Sequence, residues 1–266
     1  MSRYQDNDIN NAGSAAIAEA LGDNKAITAL NLGMNSIGHG AAKGSGSQGG
    51  ALDIAAAIAV DGSQLVSLNL GSNRLGRGGA RAIAKALAVN QSLTKLSLAN
   101  NAVMEYGAVQ LASLIRNGTA LKQLNLSMNK VGDRGAAALA TALLDTPGAL
   151  TILNLRNNFV GDGAAGEFAV LLRRRQILTE LDLSCNVITD VGARGIVGAF
   201  RANASLRVFA CENNRFTDPR VFRALEAALQ LDTAHDEKVK VGPKVDHEDD
   251  FLHDIQYAEA QWGSPR

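Results

Sequence analysis

The sequence predicts an α/β solenoid in which short parallel strands line a concave face and helices cover a convex one. Three observations carry that expectation. Aliphatic residues and an asparagine recur together at a nearly constant period over most of the 266 residues. Within each period a two-residue alternation gives way to a helical one. Aromatics supply only 4% of the chain and prolines number 4, which suits a stacked array with an aliphatic core better than a globule built on large aromatic anchors.

The recurring string is L-x-x-L-x-L-x-x-N-x-L. It runs as Ile27/Leu30/Leu32/Asn35/Ile37, Leu65/Leu68/Leu70/Asn73/Leu75, Leu93/Leu96/Leu98/Asn101/Val103 and Leu121/Leu124/Leu126/Asn129/Val131. It continues as Leu150/Leu153/Leu155/Asn158/Val160, Leu178/Leu181/Leu183/Asn186/Ile188 and Leu206/Phe209/Cys211/Asn214/Phe216, and a half-repeat at Asn7 and Ile9 opens the chain. From Asn7 onward the asparagines are separated by 28, 38, 28, 28, 29, 28 and 28 residues.

Each residue type has a mechanical reason. Side chains alternate between the faces of a strand, so the two leucines of L-x-L point into the core and the residue between them points out. The asparagine follows where the chain must turn, and its amide can satisfy backbone groups of its own and the neighbouring coil. Asp133, Asp162, Asp190 and Asp218 stand where an N-cap acceptor is wanted, and Pro219 suits a first helical position. Ile83 with Leu87, Leu111 with Leu114 and Ile115, Leu139 with Leu143, and Leu225 with Leu229 have the spacing of helix faces turned to the sheet. Strands pair at about 4.8 Å whereas helices are roughly 10 Å across, so the helical side must splay into an arc.

These motifs resemble the ribonuclease-inhibitor type of leucine-rich repeat, about 28 residues long with a full helix per unit, from about Asn7 to Leu231. The resemblance implies a right-handed α/β horseshoe. The expected organisation is a repeat domain over 1–231, with a flexible insertion over 38–50, followed by an acidic tail over 232–266. The insertion accounts for the 38-residue step and precedes a helix expected over 51–60. It contains Gly44-x-Gly46-x-x-Gly49, but no acidic residue for a ribose ends the next strand, so the string reads as a loop and not as a nucleotide site.

Lys+Arg and Asp+Glu balance at 26 each, which gives no field for nucleic acid or a membrane surface as partner. The tail departs from that balance with nine acidic and four basic residues. Its Phe251, Ile255, Ala258 and Trp262, with Leu252 beside them, have the spacing of one helical face, so a short amphipathic helix is expected over 248–262. The amino terminus lacks the apolar core of a secretory signal, no stretch is long enough to span a bilayer, and two cysteines are few; together these point to a cytoplasmic chain. Cys211 reads as a small buried hydrophobe and Cys185 as a turn residue. The four histidines lie in the insertion or the tail, and no set of nucleophile, base and orienter falls together in the repeat frame, so no catalytic, cofactor or metal site is expected.

The frame points Ala29, Ser67, Lys95, Gln123, Ile152, Glu180 and Val208 outward, and after the middle leucine Asn31, Asn69, Ser97, Asn125, Asn154, Asp182 and Ala210. The early half is small and polar. Longer and charged side chains gather later, so protein contacts are expected at Lys95, Lys122, Gln123, Asn154, Arg156, Glu180, Asp182, Arg207 and Glu212. Phe251, Leu252, Ile255 and Trp262 of the tail join that set. The resulting expectation is a noncatalytic protein-interaction scaffold or adaptor, with protein partners only. The resemblance implies an intracellular assembly of cytoskeletal, ciliary or axonemal kind. The alternative it raises is a GTPase activator similar to the Ran GTPase activators, from which no catalytic residue carries over, since the array is shorter and the acidic segment brief.

Overall fold

A computed structural model describes residues 8–38, 49–60, 62–146, 150–230 and 239–240. Helix α1 (Asn11–Asp23) opens it, capped by Asn10, whose side chain accepts the N–H groups of Ala12 and Gly13. Strand and helix then alternate: β1 (Ala29–Asn31), α2 (Gly49–Ile58), β2 (Ser67–Asn69), α3 (Gly76–Leu87), β3 (Lys95–Ser97), α4 (Met104–Arg116), β4 (Gln123–Asn125), α5 (Gly132–Asp145). The second half follows as β5 (Ile152–Asn154), α6 (Asp162–Arg174), β6 (Glu180–Asp182), α7 (Asp190–Phe200), β7 (Val208–Ala210), α8 (Pro219–Gln230) and a two-residue β8 (Val239–Lys240). All strands form one parallel sheet in chain order.

The register sets Leu30, Leu68, Leu96, Leu124, Leu153, Leu181 and Phe209 side by side. Except at the open end, these side chains are buried against Ile83, Leu111, Leu139, Phe168 and Ile196 of the helices. Helices pack closely because small residues meet. A Cβ on Gly107 would lie 3.0 Å from that of Ala80, and one on Gly135 3.0 Å from that of Ala108.

The asparagines form a continuous ladder. The Asn129 amide donates to Leu98 O of the preceding coil at 2.8 Å and to Leu126 O and Ser127 O of its own, while its Oδ1 accepts from Asn101 N and Val103 N. Asn73, Asn101, Asn158 and Asn186 bridge coils in the same way. The residue before each asparagine takes a left-handed conformation although none is glycine: Met34, Ser72, Asn100, Met128, Asn157, Cys185 and Asn213 have φ between 51° and 58°. That conformation costs roughly 1–2 kcal/mol for an L-residue. It is held by bonds between coils, for instance Ser72 N to Ala99 O at 2.8 Å and Met128 N to Arg156 O at 2.9 Å.

The expected aspartate caps act differently from the sequence reading. Only Asp218 caps its own helix, accepting Arg220 N at 2.9 Å. Bonds from Arg220 and Arg194 hold its carboxyl down at about 2. Asp133, Asp162 and Asp190 lie inside the first turn of their own helices and reach forward to the next coil. Asp133 accepts Gly161 N and Ala164 N, and Asp162 accepts Thr189 N, Thr189 Oγ1 and Gly192 N. Asp190 takes Thr217 N and Asp218 N. A second cap joins coils at the other helix end, where Arg175 donates to Leu144 O in the last turn of α5 and to Thr146 O just beyond it. Asp162→Ala is therefore expected to cost about 1–2 kcal/mol. Hydrogen exchange should accelerate at the Thr189 and Gly192 amides of the following repeat and not in the first turn of α6.

The helix expected over 51–60 starts two residues earlier, at Gly49. Residues 39–48 of the insertion, and the tail helix expected over 248–262 with Phe251, Leu252, Ile255 and Trp262, lie outside the described residues. Within the stretch expected as an acidic tail, Val239 and Lys240 pair with Phe209 and Ala210, so the sheet extends past Leu231. Among the described residues no helix is long and apolar enough to cross a membrane.

Candidate protein-binding surface

Three outward columns run along the sheet. The strand register aligns Ala29, Ser67, Lys95, Gln123, Ile152, Glu180 and Val208 in the first. Lys95 is exposed and Gln123, Ile152, Glu180 and Val208 are half-buried, each between its neighbours of the same column. Lys122 and Arg207, one residue before this column, are exposed.

The second column is turned to local structure. Asn31, Asn69, Asn125 and Asn154 each accept the backbone N–H two residues on, at 2.9 Å, and Asp182 does the same for Ser184. These bonds bend the chain out of the strand, so Asn154 and Asp182 serve first as turn-makers. Burial pushes the Asp182 carboxyl up from its ordinary value, against the Ser184 N–H and the charge of Arg156, which draw it down.

The third column carries Arg156, Ser184 and Glu212. Arg156 Nη1 lies 3.1 Å from Glu212 Oε1, across the intervening coil, and Arg156 is only 7% exposed. Two of the expected contact residues thus hold each other. Replacing either alone would leave a charge poorly solvated. The columns therefore leave Lys95, Lys122, Gln123, Glu180 and Arg207 on the outward surface around Ile152 and Val208.

Cys211 is buried, and that burial, with the nearby Asp182 and Glu212 carboxylates, raises its thiol pKa; it is an unreactive core group in this setting. Cys185 sits in its turn, 3.7 Å from Asn213 Nδ2. Among the described residues no group of three or more His, Cys, Asp or Glu is placed to hold a metal.

The convex side carries a further feature that the strand frame does not specify. There α2, α3 and α4 border a groove of about 600 Å³ between Leu52 and Tyr106, with Arg77, Arg81 and Lys85 along it. The four-residue spacing of those three bases marks one face of α3 in the sequence, whereas Leu52 and Tyr106 come beside it only through the packing of α2 and α4.

A family model described as Leucine Rich repeat matches residues 64–84, 119–140 and 176–197. An internalin from Listeria monocytogenes is similar in structure, with a TM-score of 0.47 and 17% identity over 86% of this chain and 57% of that one. The chain thus spans just over half the length of that protein. The actin-binding site 2 of leiomodin-1 gives a TM-score of 0.38 and 15% identity over 91% of this chain and 95% of that one. A Bacteroides fragilis protein gives 0.34 and 13%, over 69% and 67%. No curated protein matches the chain. Three stretches match the leucine-rich-repeat model, and the described coils alternate strand, asparagine turn and helix, so the chain folds as an α/β solenoid of the leucine-rich-repeat kind.

Proposed function

We propose that this protein is a noncatalytic scaffold or adaptor that seats a protein partner on the carboxyl-terminal half of its concave sheet. The observation that carries the reading is the row Gln123, Ile152, Glu180 and Val208, aligned by strand register and flanked by the exposed Lys95, Lys122 and Arg207. An apolar centre ringed by mixed charge suits a partner of complementary pattern. Because the sheet is already built, binding does not have to order a loose chain. The assembly we place it in is intracellular and of cytoskeletal or axonemal kind, by resemblance of the repeats.

The test compares what the full-length chain and an Ile152→Arg, Glu180→Arg variant retain on affinity purification followed by mass spectrometry. The variant is expected to lose the partner, with affinity down at least about tenfold, while its melting temperature holds within a few degrees. A partner kept by this variant would move the contact elsewhere. Adding the full-length chain to a Ran-type GTPase is expected to leave multiple-turnover GTP hydrolysis unchanged, and acceleration would favour the GTPase-activator reading instead.

A further inference from the structure

The convex groove has a polarity of its own. Arg77, Arg81 and Lys85 lie one turn apart along α3, all exposed, and none of them forms an ion pair among the described residues. The nearby Glu105 is engaged by Arg134 at 3.4 Å. On either side of this basic row stand apolar side chains that a solvated helix face does not need, Leu52 at 51% and Tyr106 at 47% exposure. Such a groove fits an amphipathic helix with an apolar ridge and an acidic edge.

The chain itself carries that sequence. In residues 248–262 the helical period sets Phe251, Ile255, Ala258 and Trp262 on one ridge, with Asp250 and Asp254 one turn apart along its border. The four-residue spacing of these acids matches that of Arg77, Arg81 and Lys85, so two helices laid side by side bring the charges into register. We propose that this segment docks in the α2–α3–α4 groove of a second copy of the chain.

Reach decides between the same copy and another. The last placed strand residue is Lys240, beside β7, and the groove on α3 lies five helices before α8. At roughly 10 Å per helix that is roughly 50 Å, whereas the seven residues 241–247, fully extended, cover about 25 Å. A segment tethered at one end of the array cannot fill a groove near the other end of the same molecule. Docked between molecules, it makes a heterologous, head-to-tail contact that propagates until it closes or is capped.

Trp262 is the sole tryptophan, so its emission reports the segment directly. The full-length chain is expected to self-associate in sedimentation velocity, with Trp262 emission moving to longer wavelength on dilution as the assembly dissociates. Arg77→Glu with Arg81→Glu should raise the dissociation constant at least about tenfold, and so should Asp250→Lys with Asp254→Lys. An equimolar mixture of the two double variants should associate again, because each tail then faces a groove of opposite charge, and that recovery also shows both variants to be folded. A chain monomeric at its highest soluble concentration would overturn the proposal. So would association unaffected by both charge reversals, failure of the mixture to recover, or a shielded Trp262 emission that dilution does not move. The concave patch takes no part in this test, so its outcome leaves the partner reading separate.

Discussion

Asn129→Ala is expected to lower the unfolding free energy by about 3–5 kcal/mol. Asn129 is fully buried. Its loss would leave Asn101 N and Val103 N without their shared acceptor and would take the amide from Leu98 O, Leu126 O and Ser127 O. These groups lie between coils, where water has little access, so the cost approaches the desolvation of each stranded group. Asn129→Asp separates the two halves of the role. The carboxylate keeps the acceptor but turns negative charge toward three carbonyl oxygens, so its folded-state pKa should lie above the unfolded value. The variant should therefore lose further stability as pH rises through the unfolded carboxylate pKa, near 4, and recover part of it below. Urea titrations at neutral and acid pH check both, and a loss within about 0.5 kcal/mol for the alanine variant would show that the ladder is not what holds the coils.

Leu126→Ala should cost about 2–5 kcal/mol, from lost burial and the cavity left behind. Leu126 has no exposed surface and sits between the coils centred on β3 and β5. Gln123, three residues earlier, faces outward and is half-buried. Its replacement by alanine should fall within about 0.5 kcal/mol, the range of surface changes. The contrast between two sites this close in one strand and turn isolates the alternation of faces from any general sensitivity of the region. Equal losses in chemical denaturation would show the inward and outward assignments to be wrong.

The inward leucines, the order and parallel pairing of the strands, and the bridging asparagines were readable because each is written once per repeat, and a period fixes which residues stack. The outward columns followed from the same alternation. Their use did not: Asn154 and Asp182 were readable as outward polar residues, but the bond from Oδ1 to the N–H two residues on appears only once the chain leaves the strand at that angle.

What lay beyond the sequence crosses from coil to coil. Asp162 has the residue type and place of an N-cap, yet its oxygens meet Thr189 and Gly192 of the next repeat, because stacking brings that helix start nearer than the exposed amides of its own. Arg156 and Glu212 are 56 residues apart and pair over an intervening coil. Val239 and Lys240 lack the L-x-L signal of the other strands, and only the open edge of β7 makes them a rung. The groove beside Arg77, Arg81 and Lys85 exists because three separate helices stand at packing distance. The sequence by itself determined the repeating unit, its core and its handholds for the next coil, since those depend on local periodicity. The spacing and rotation between successive units decided which polar groups meet, and those quantities arise from packing the whole stack.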